Sequence, residues 1–325
     1  MTQRIRIRTP SRLHFGLLGW GAEALRQFGG VGLMVDDPGL EVVVQPSSHW
    51  EAVGVLSERS ILIAGEVAER LTSLGYDVKP CRIENIRIPQ AHLGLGVGTQ
   101  LSMAIALAIG EFSGLVDPGV EILARIAGRG LRSGIGIHGF YEGGLIVDSG
   151  RRRKEEIPTR ILRLELPREW SVLVLIPTHR PGLHGREEVM AFKRLPPVPI
   201  GMTQRLCQLL LLGLLPAVIE KDLSAFGESL EEIQQVVGAA FAPVQGGQFA
   251  EPETEAIIGQ MKRIGLFGAG QSSWGPAIYA FSEEDRAQRI RIRNHLLERY
   301  EIQEENIFWT QGSTRGADLA HEECV

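Results

Sequence analysis

The segment HLGLGVGTQLSMAIALAI, residues 92–109, runs from a glycine-rich turn straight into an apolar stretch where Leu101, Ala104, Ile105 and Ala108 recur at helical spacing. Such a turn leaves bare backbone amides at the start of a helix, where the unpaired N–H groups and the helix dipole both favour an anion. Alone, the pattern suits a tight packing turn as well as a phosphate cradle. Two companions add weight to the cradle: TPSRLHFGLLG at residues 9–19 and GAGQSSWGPAIYAF at residues 268–281. Glycine supplies 39 of 325 residues, about 12% against an average near 7%, and the excess is clustered.

The surrounding pattern mixes strands with helices. Ile5 and Ile7 face away from Arg4, Arg6 and Arg8, which is a half-buried strand, and a second strand is expected at 40–44. Asp117-Pro118 predicts an N-cap and a first-turn proline for a helix through Val120, Leu123, Ala124 and Ala127, ending at Gly128 or Gly130. Strands are expected at 145–148, 161–166 and 172–176, with a charged turn, RRRKEE, at 151–156. A long loop at 177–199 precedes helices at 203–221 and 223–237, the second carrying the stripe Leu223, Phe226, Leu230, Ile233 and Val237. A glycine-rich turn at 268–275 leads into 276–281, and a polar helix at 283–300 and a strand at 307–310 close the chain. This order lacks the regular alternation of a doubly wound sheet. It predicts an α+β fold in two layers, divided near the charged turn into domains 1–165 and 166–325.

A net charge of −5 argues against a nucleic-acid partner. Cys81, Cys207 and Cys324 lie far apart, so neither a disulfide framework nor a paired-cysteine metal site is expected, and a reducing cytoplasm fits. The apolar run at 206–219 contains Gln208, Gly213 and Pro216 and falls short of the roughly 20 residues that span a bilayer, so no membrane partner is expected. The N-terminus, MTQRIRIR, alternates Arg with Ile and reads as a strand instead of a signal peptide.

Together the three glycine-rich segments resemble the three motifs of the GHMP kinase superfamily, and the resemblance covers essentially the whole chain. It implies a ribosomal-protein-like N-terminal domain, a ferredoxin-like C-terminal domain and a site in the cleft between them. The kinase chemistry is missing where the family pattern would place it. The second motif reads Gly94-Leu95-Gly96-Val97-Gly98-Thr99-Gln100, with a bulky Gln100 where the family has a small residue. The segment RSGIGIH at 132–138 has no carboxylate where the family's catalytic aspartate follows its serine-glycine pair. These departures match a non-kinase branch: SRLHFGLL, FGGVGLMV, GLGVGTQLSMAIA, RSGIGIHGFYEGGLIVD and GAGQSSWGP resemble the β-ribofuranosylaminobenzene 5′-phosphate synthase family. That resemblance implies condensation of phosphoribosyl pyrophosphate with 4-hydroxybenzoate or 4-aminobenzoate, with loss of CO2 and pyrophosphate, for tetrahydromethanopterin synthesis. It also implies Mg2+, no organic cofactor and a homodimer. The competing expectations are an ATP-dependent small-molecule kinase of the same superfamily and a binding protein that kept the fold without catalysis.

On this reading Gly94, Gly96, Gly98, Thr99 and Gln100 cradle one phosphate group, and Gly270, Gln271, Ser272 and Ser273 approach from the other domain. Arg12, Arg26 and Arg132, with Ser133 beside the last, are candidates for the carboxylate or the 5-phosphate. His14 is a candidate proton carrier or a hydrogen-bonded structural histidine. His138, Tyr141 and Glu142 either line the pocket for the aromatic acid or serve the fold. His179, Arg180, His184, Arg186 and Glu187 form a polar cluster in the long loop, which is either a lid or a connection. No metal ligand is assigned.

Overall fold

The computed structural model describes residues 3–177 and 180–323. A long antiparallel hairpin, β1 (Gln3–Gly19) with β2 (Phe28–Pro46), organises the N-terminal layer. Its register places Ile5 opposite Val44 and Ile7 opposite Val42, all four buried, so the alternation with arginine does put one face in the core. The layer continues through β3 (Glu51–Gly54), α1 (Ser57–Ser73), β4 (Cys81–Arg87), α2 (Val97–Phe112), α3 (Gly119–Ala127), α4 (Ile135–Glu142), β5 (Leu145–Asp148) and β6 (Arg160–Leu164). The chain then enters a second layer with β7 (Ser171–Leu175), α5 (Gly185–Arg194), α6 (Ile200–Leu209), a π-turn at Leu210–Leu214 and α7 (Leu215–Glu220). It ends through α8 (Leu223–Gln245), α9 (Pro252–Arg263), β8 (Phe267–Gln271), β9 (Ile278–Ser282), α10 (Arg286–Tyr300), β10 (Ile307–Gln311) and β11 (Asp318–Glu323).

Two sheets result. The first runs β11-β1-β2-β4-β3, with β5 bridging β2 to β6; the second runs β10-β7-β9-β8. The chain passes between sheets in the short stretch between Leu164 and Ser171. The second half nevertheless returns β11 to pair with β1. One core joins the layers: Phe15 of β1 lies 5.0 Å from Tyr279 of β9, and Phe226 of α8 packs edge-on to Phe281 at 4.9 Å. The α8 stripe Leu223, Phe226, Leu230 and Ile233 is buried there, while Val237 is half-buried at the wall of a large cavity.

Several expectations need correction. The segment 177–199 is not a plain loop, because α5 occupies its middle. Residues 267–271 form a strand, β8, and the turn is confined to the residues between β8 and β9. Helix α8 presses on β8: a Cβ at Gly227 would lie 2.9 Å from Gly268 N, and one at Gly270 would lie 2.7 Å from the Gln234 side chain. Helix α3 begins at Gly119, with Pro118 at its cap and Asp117 at φ +40°, so Asp117 does not cap it. Helices α1 and α9 and strand β4 lie in segments without a sequence assignment. The apolar stretch Ile200–Glu220 is longer than expected and passes for a membrane span by length and composition, with mean hydropathy 1.5. In the fold 39% of its 18-residue apolar window is buried within the protein, where Leu206, Leu210, Leu214 and Val218 join the main core beside α8.

Candidate active site

Three glycine-rich segments meet at one place because main-chain bonds tie them. Arg12 N donates to Leu95 O (2.9 Å), Ser273 N to His14 O (3.1 Å) and Ala277 N to Leu93 O (2.9 Å). The buried Ser272 hydroxyl donates to Gly94 O (2.7 Å) and accepts from His14 N (3.0 Å). Only glycine fits at Gly94: its φ is +93°, and a Cβ there would lie 2.4 Å from Ser272 O. Gly96, at φ +74°, ends this turn and starts α2 without a side-chain cap, so the first amides, at Val97 and Gly98, have no partner within the helix.

A cavity of about 850 Å³ opens at this helix start. Arg12, Arg59, Arg129, Arg132 and Arg186 line it, and Glu188 is the only acidic side chain among the described residues of its lining. Arg12 Nε and Arg129 Nε are both shut off from solvent with no hydrogen-bond partner among the described residues. Burial pulls each guanidinium down to about 10. Arg59, from α1, reaches over Gly98 and bonds His92 Nε2 at 3.1 Å; His92 stacks on His184 with ring centroids 3.8 Å apart. Burial, then the nearby His184 and Arg59, pull His92 down to about 4, so it is neutral at pH 7 and accepts from Arg59. Unpaired buried cations beside open helix amides are costly for the fold unless an anion arrives.

His14 shares this floor. Its Nε2 lies 3.1 Å from Ser133 Oγ, whose hydroxyl donates to Asp148 Oδ2 at 3.3 Å. Burial, with Arg12 adding to it, holds His14 well below the usual histidine range, so its ring is neutral. Asp148, at the end of β5, accepts from Gly134 N (2.9 Å) and Gly150 N (2.8 Å) and thereby fixes the start of α4. Burial pushes its carboxyl up to about 6, and these bonds offset only part of that.

The opposite wall is aromatic. Phe241 of α8 lies 4.6 Å from Trp274, and Phe192 of α5 packs edge-on to both, at 6.0 and 5.7 Å. Arg132 stands over the Phe192 ring at 5.1 Å and pairs with Glu188 at 2.5 Å.

Of the residues singled out from sequence, the structure brings Arg12, His14, Gly94, Gly96, Gly98, Thr99, Arg132, Ser133, Gln271 and Ser273 to this cavity, with His184 and Arg186 from α5. His179 lies outside the described residues. The others point elsewhere. Arg26 is spent on the carbonyls of Ser149 (3.0 Å) and Gly150 (2.9 Å). Gln100 is buried behind α2 and donates to Gly136 O (2.8 Å). His138 is buried on Pro158 O (2.7 Å), Glu142 pairs with Arg160 (3.0 Å), and Tyr141 packs against the core. Gly270 sits under Gln234, and Ser272 is a tie between segments with both its bonds internal. Sequence reasoning missed Arg59, Arg129, Phe192, Phe241 and Glu188. Trp274, inside a motif already singled out, was the one signal for the aromatic wall.

The GHMP kinases C-terminal family matches residues 214–300. Among solved structures, a putative homoserine kinase from Listeria monocytogenes aligns at TM-score 0.67 and 16% identity, covering 98% of this chain and all of that one. A mevalonate diphosphate decarboxylase from Staphylococcus aureus aligns at TM-score 0.65 and 14% identity, with 98% of both chains covered. These show the two-domain α+β fold of the GHMP kinases. Among curated relatives, β-ribofuranosylphenol 5′-phosphate synthase of Methanothermobacter thermautotrophicus is 37% identical over 86% of this chain and 88% of its own. The enzyme of the same name from Archaeoglobus fulgidus is 33% identical over 97% of this chain and 99% of its own. At that identity and coverage, the chain belongs to the β-ribofuranosylphenol 5′-phosphate synthase family, a transferase branch on the GHMP kinase fold.

Proposed function

We propose that this chain is a decarboxylating pentosyltransferase that joins phosphoribosyl pyrophosphate to a 4-substituted benzoate, giving a C-riboside 5′-phosphate, CO2 and pyrophosphate for tetrahydromethanopterin synthesis. The observation that carries the reading is one cavity in which an unpaired cationic cradle at a helix start faces an aromatic wall. The relatives' printed name, a ribofuranosylphenol, favours 4-hydroxybenzoate over 4-aminobenzoate.

In this scheme the amides of Val97 and Gly98, with Arg12 and Arg59, take the pyrophosphate, whose departure leaves positive charge on the anomeric carbon. Gly94, Gly96 and Gly98 keep the backbone close, Thr99 and Ser273 add hydroxyls, and Gln271 braces the turn through Ser273 O (3.0 Å). His14, being neutral, adds no further cation beside the developing charge. The ring carbon bearing the carboxylate attacks the anomeric carbon, and its bond to the carboxylate then breaks. That electron pair restores the aromatic ring as CO2 leaves.

Among the described residues, no group of three or more His, Cys, Asp or Glu side chains could hold a metal ion. A Mg2+ would therefore be held chiefly by pyrophosphate oxygens, with the Thr99 hydroxyl in the first turn of α2 a side chain of suitable chemistry. No organic cofactor is part of the proposal. A cytoplasmic enzyme fits the free thiols Cys81 and Cys207, and a homodimer fits the exposed Leu211, Leu212 and Ile219. Light scattering on the purified protein tests the dimer. The reaction is tested by incubating the protein with phosphoribosyl pyrophosphate, Mg2+ and carboxyl-labelled 4-hydroxybenzoate or 4-aminobenzoate. Labelled CO2 that requires all components is expected; ATP turnover with a small alcohol and no CO2 would replace this reading with a kinase.

A further inference from the structure

The cavity already contains one carboxylate, and its position is informative. Glu188 sits in the first turn of α5, pairs with Arg132 at 2.5 Å, and lies close enough to Arg12 to offset part of that guanidinium's burial. It thus pairs with one cation and acts at a distance on a second, next to Phe192, over which Arg132 is stacked. The Arg132 and Glu188 side chains remain 33% and 21% exposed, so the pair is reachable from solvent. Helix α5 is held along one face, by buried Ala191 and by Phe192 packed on Phe241 and Trp274, while Val189 and Met190 are each 47% exposed. A benzoate whose ring lies against Phe192, Phe241 and Trp274 must place its carboxylate somewhere, and Arg132 is the cation bordering that wall.

We propose that Glu188 is an exchangeable stand-in for the substrate's carboxylate. The aromatic acid displaces Glu188 from Arg132 on binding, and Glu188 takes Arg132 back as CO2 leaves. This rests on the reading of the cavity as an aromatic-acid site. The exchange answers a chemical difficulty. A guanidinium clamp stabilises a carboxylate and so opposes loss of CO2, because the negative charge must leave the oxygens for the ring. A competing carboxylate within reach of the same cation weakens that hold and keeps Arg132 paired once CO2 has gone. No bond is made or broken by Glu188 itself; it is a positioning residue.

Calorimetric titrations of 4-hydroxybenzoate and of phenol into the wild type and Glu188→Gln, with pyrophosphate present, test the exchange. Removing the internal competitor is expected to tighten 4-hydroxybenzoate by about fivefold, the equivalent of one modest ion pair, and to leave phenol unchanged. In turnover the same variant is expected to lower KM for the aromatic acid without raising kcat. Arg132→Met is the second variant, expected to lose the acid but keep phenol, and thermal melting confirms that each variant is folded. Equal affinity of wild type and Glu188→Gln for the acid overturns the exchange. A parallel shift for acid and phenol also overturns it, because altered packing of Phe192 would then explain the change. If the folded wild type binds neither compound, the aromatic-acid reading fails, and the exchange with it.

Discussion

Replacing Ser272 with alanine separates two roles that sequence alone leaves equivalent, a ligand for phosphate and a tie within the protein. In the structure the hydroxyl is fully buried, donating to Gly94 O at 2.7 Å and accepting from His14 N at 3.0 Å. Alanine leaves a buried acceptor and a buried donor without that partner, at about 1–3 kcal/mol each. Gly94 O keeps a long contact from Arg12 Nη2 at 3.4 Å, which softens one loss, so the total expected is about 2–4 kcal/mol. The same tie fixes Gly94 ahead of α2, and its loss should raise KM for phosphoribosyl pyrophosphate about tenfold through a looser cradle. Urea denaturation of the substrate-free protein measures the first quantity and initial rates the second. An unfolding free energy within about 0.5 kcal/mol of wild type, alongside a large rise in KM, would refute the tie and restore Ser272 as a direct phosphate ligand.

Asp148 has its pKa raised from 3.8 to about 6, so the native state holds its proton more tightly than the unfolded chain. Its contribution to stability is therefore full below pH 4 and falls by about 3 kcal/mol as pH rises through 6. Across that range the wild type should lose about this much stability relative to Asp148→Asn, which cannot titrate, and parallel denaturation curves would refute the shift. Gly94→Ala meets backbone at 2.4 Å and should lose more than about 2 kcal/mol, whereas Gly98→Ala meets only the mobile end of Arg59 at 2.9 Å. The second variant is expected to melt near wild type and bind pyrophosphate about tenfold more weakly, which thermal scans and titration calorimetry check together. Arg12→Met removes a buried guanidinium with an unpartnered Nε, and should match or exceed wild-type stability while pyrophosphate affinity falls about 100-fold or more. A destabilised Arg12→Met would mean that the arginine serves the fold first.

What could be read from sequence was the part governed by local rules. Gly94 and Gly96 take left-handed backbone ahead of an apolar helix, and Ile5 and Ile7 alternate along a half-buried strand, so periodicity and turn chemistry sufficed. The misses share a cause. Helices α1 and α5 follow Leu56 and His184, neither of which gives a side-chain cap, so only the acidic first turns at Glu58 and at Glu187 and Glu188 mark their starts. Arg59 and Glu188 ride on those two helices and were lost with them. Arg26, His138 and Glu142 stand in suggestive neighbourhoods but turn to Gly150 O, Pro158 O and Arg160, choices made by tertiary contacts that no spacing records. Asp148 was passed over as the last residue of a short strand; its importance comes from Gly134 and Gly150, brought to it by the fold.

If the proposed reaction holds, the charge distribution accounts for transfer to carbon on a kinase scaffold. The chain as a whole is negative, yet among the described residues its cavity gathers five arginines against one carboxylate, and His14 and His92, two of its three histidines, are held neutral. A phosphoryl transfer to an alcohol needs a carboxylate free to take the hydroxyl's proton. Here the single carboxylate is held by Arg132, and Asp148 reaches the site only through the Ser133 hydroxyl. A nucleophile that carries its own departing carboxylate has no such need, since the electron pair released with CO2 does what a base would otherwise do. The cavity is then left with two demands, to bind a polyanion strongly and to hold an aromatic ring against it. On the proposed reaction, Arg12, Arg59 and the α2 amides meet the first demand on one wall, and Phe192, Phe241 and Trp274 meet the second on the other.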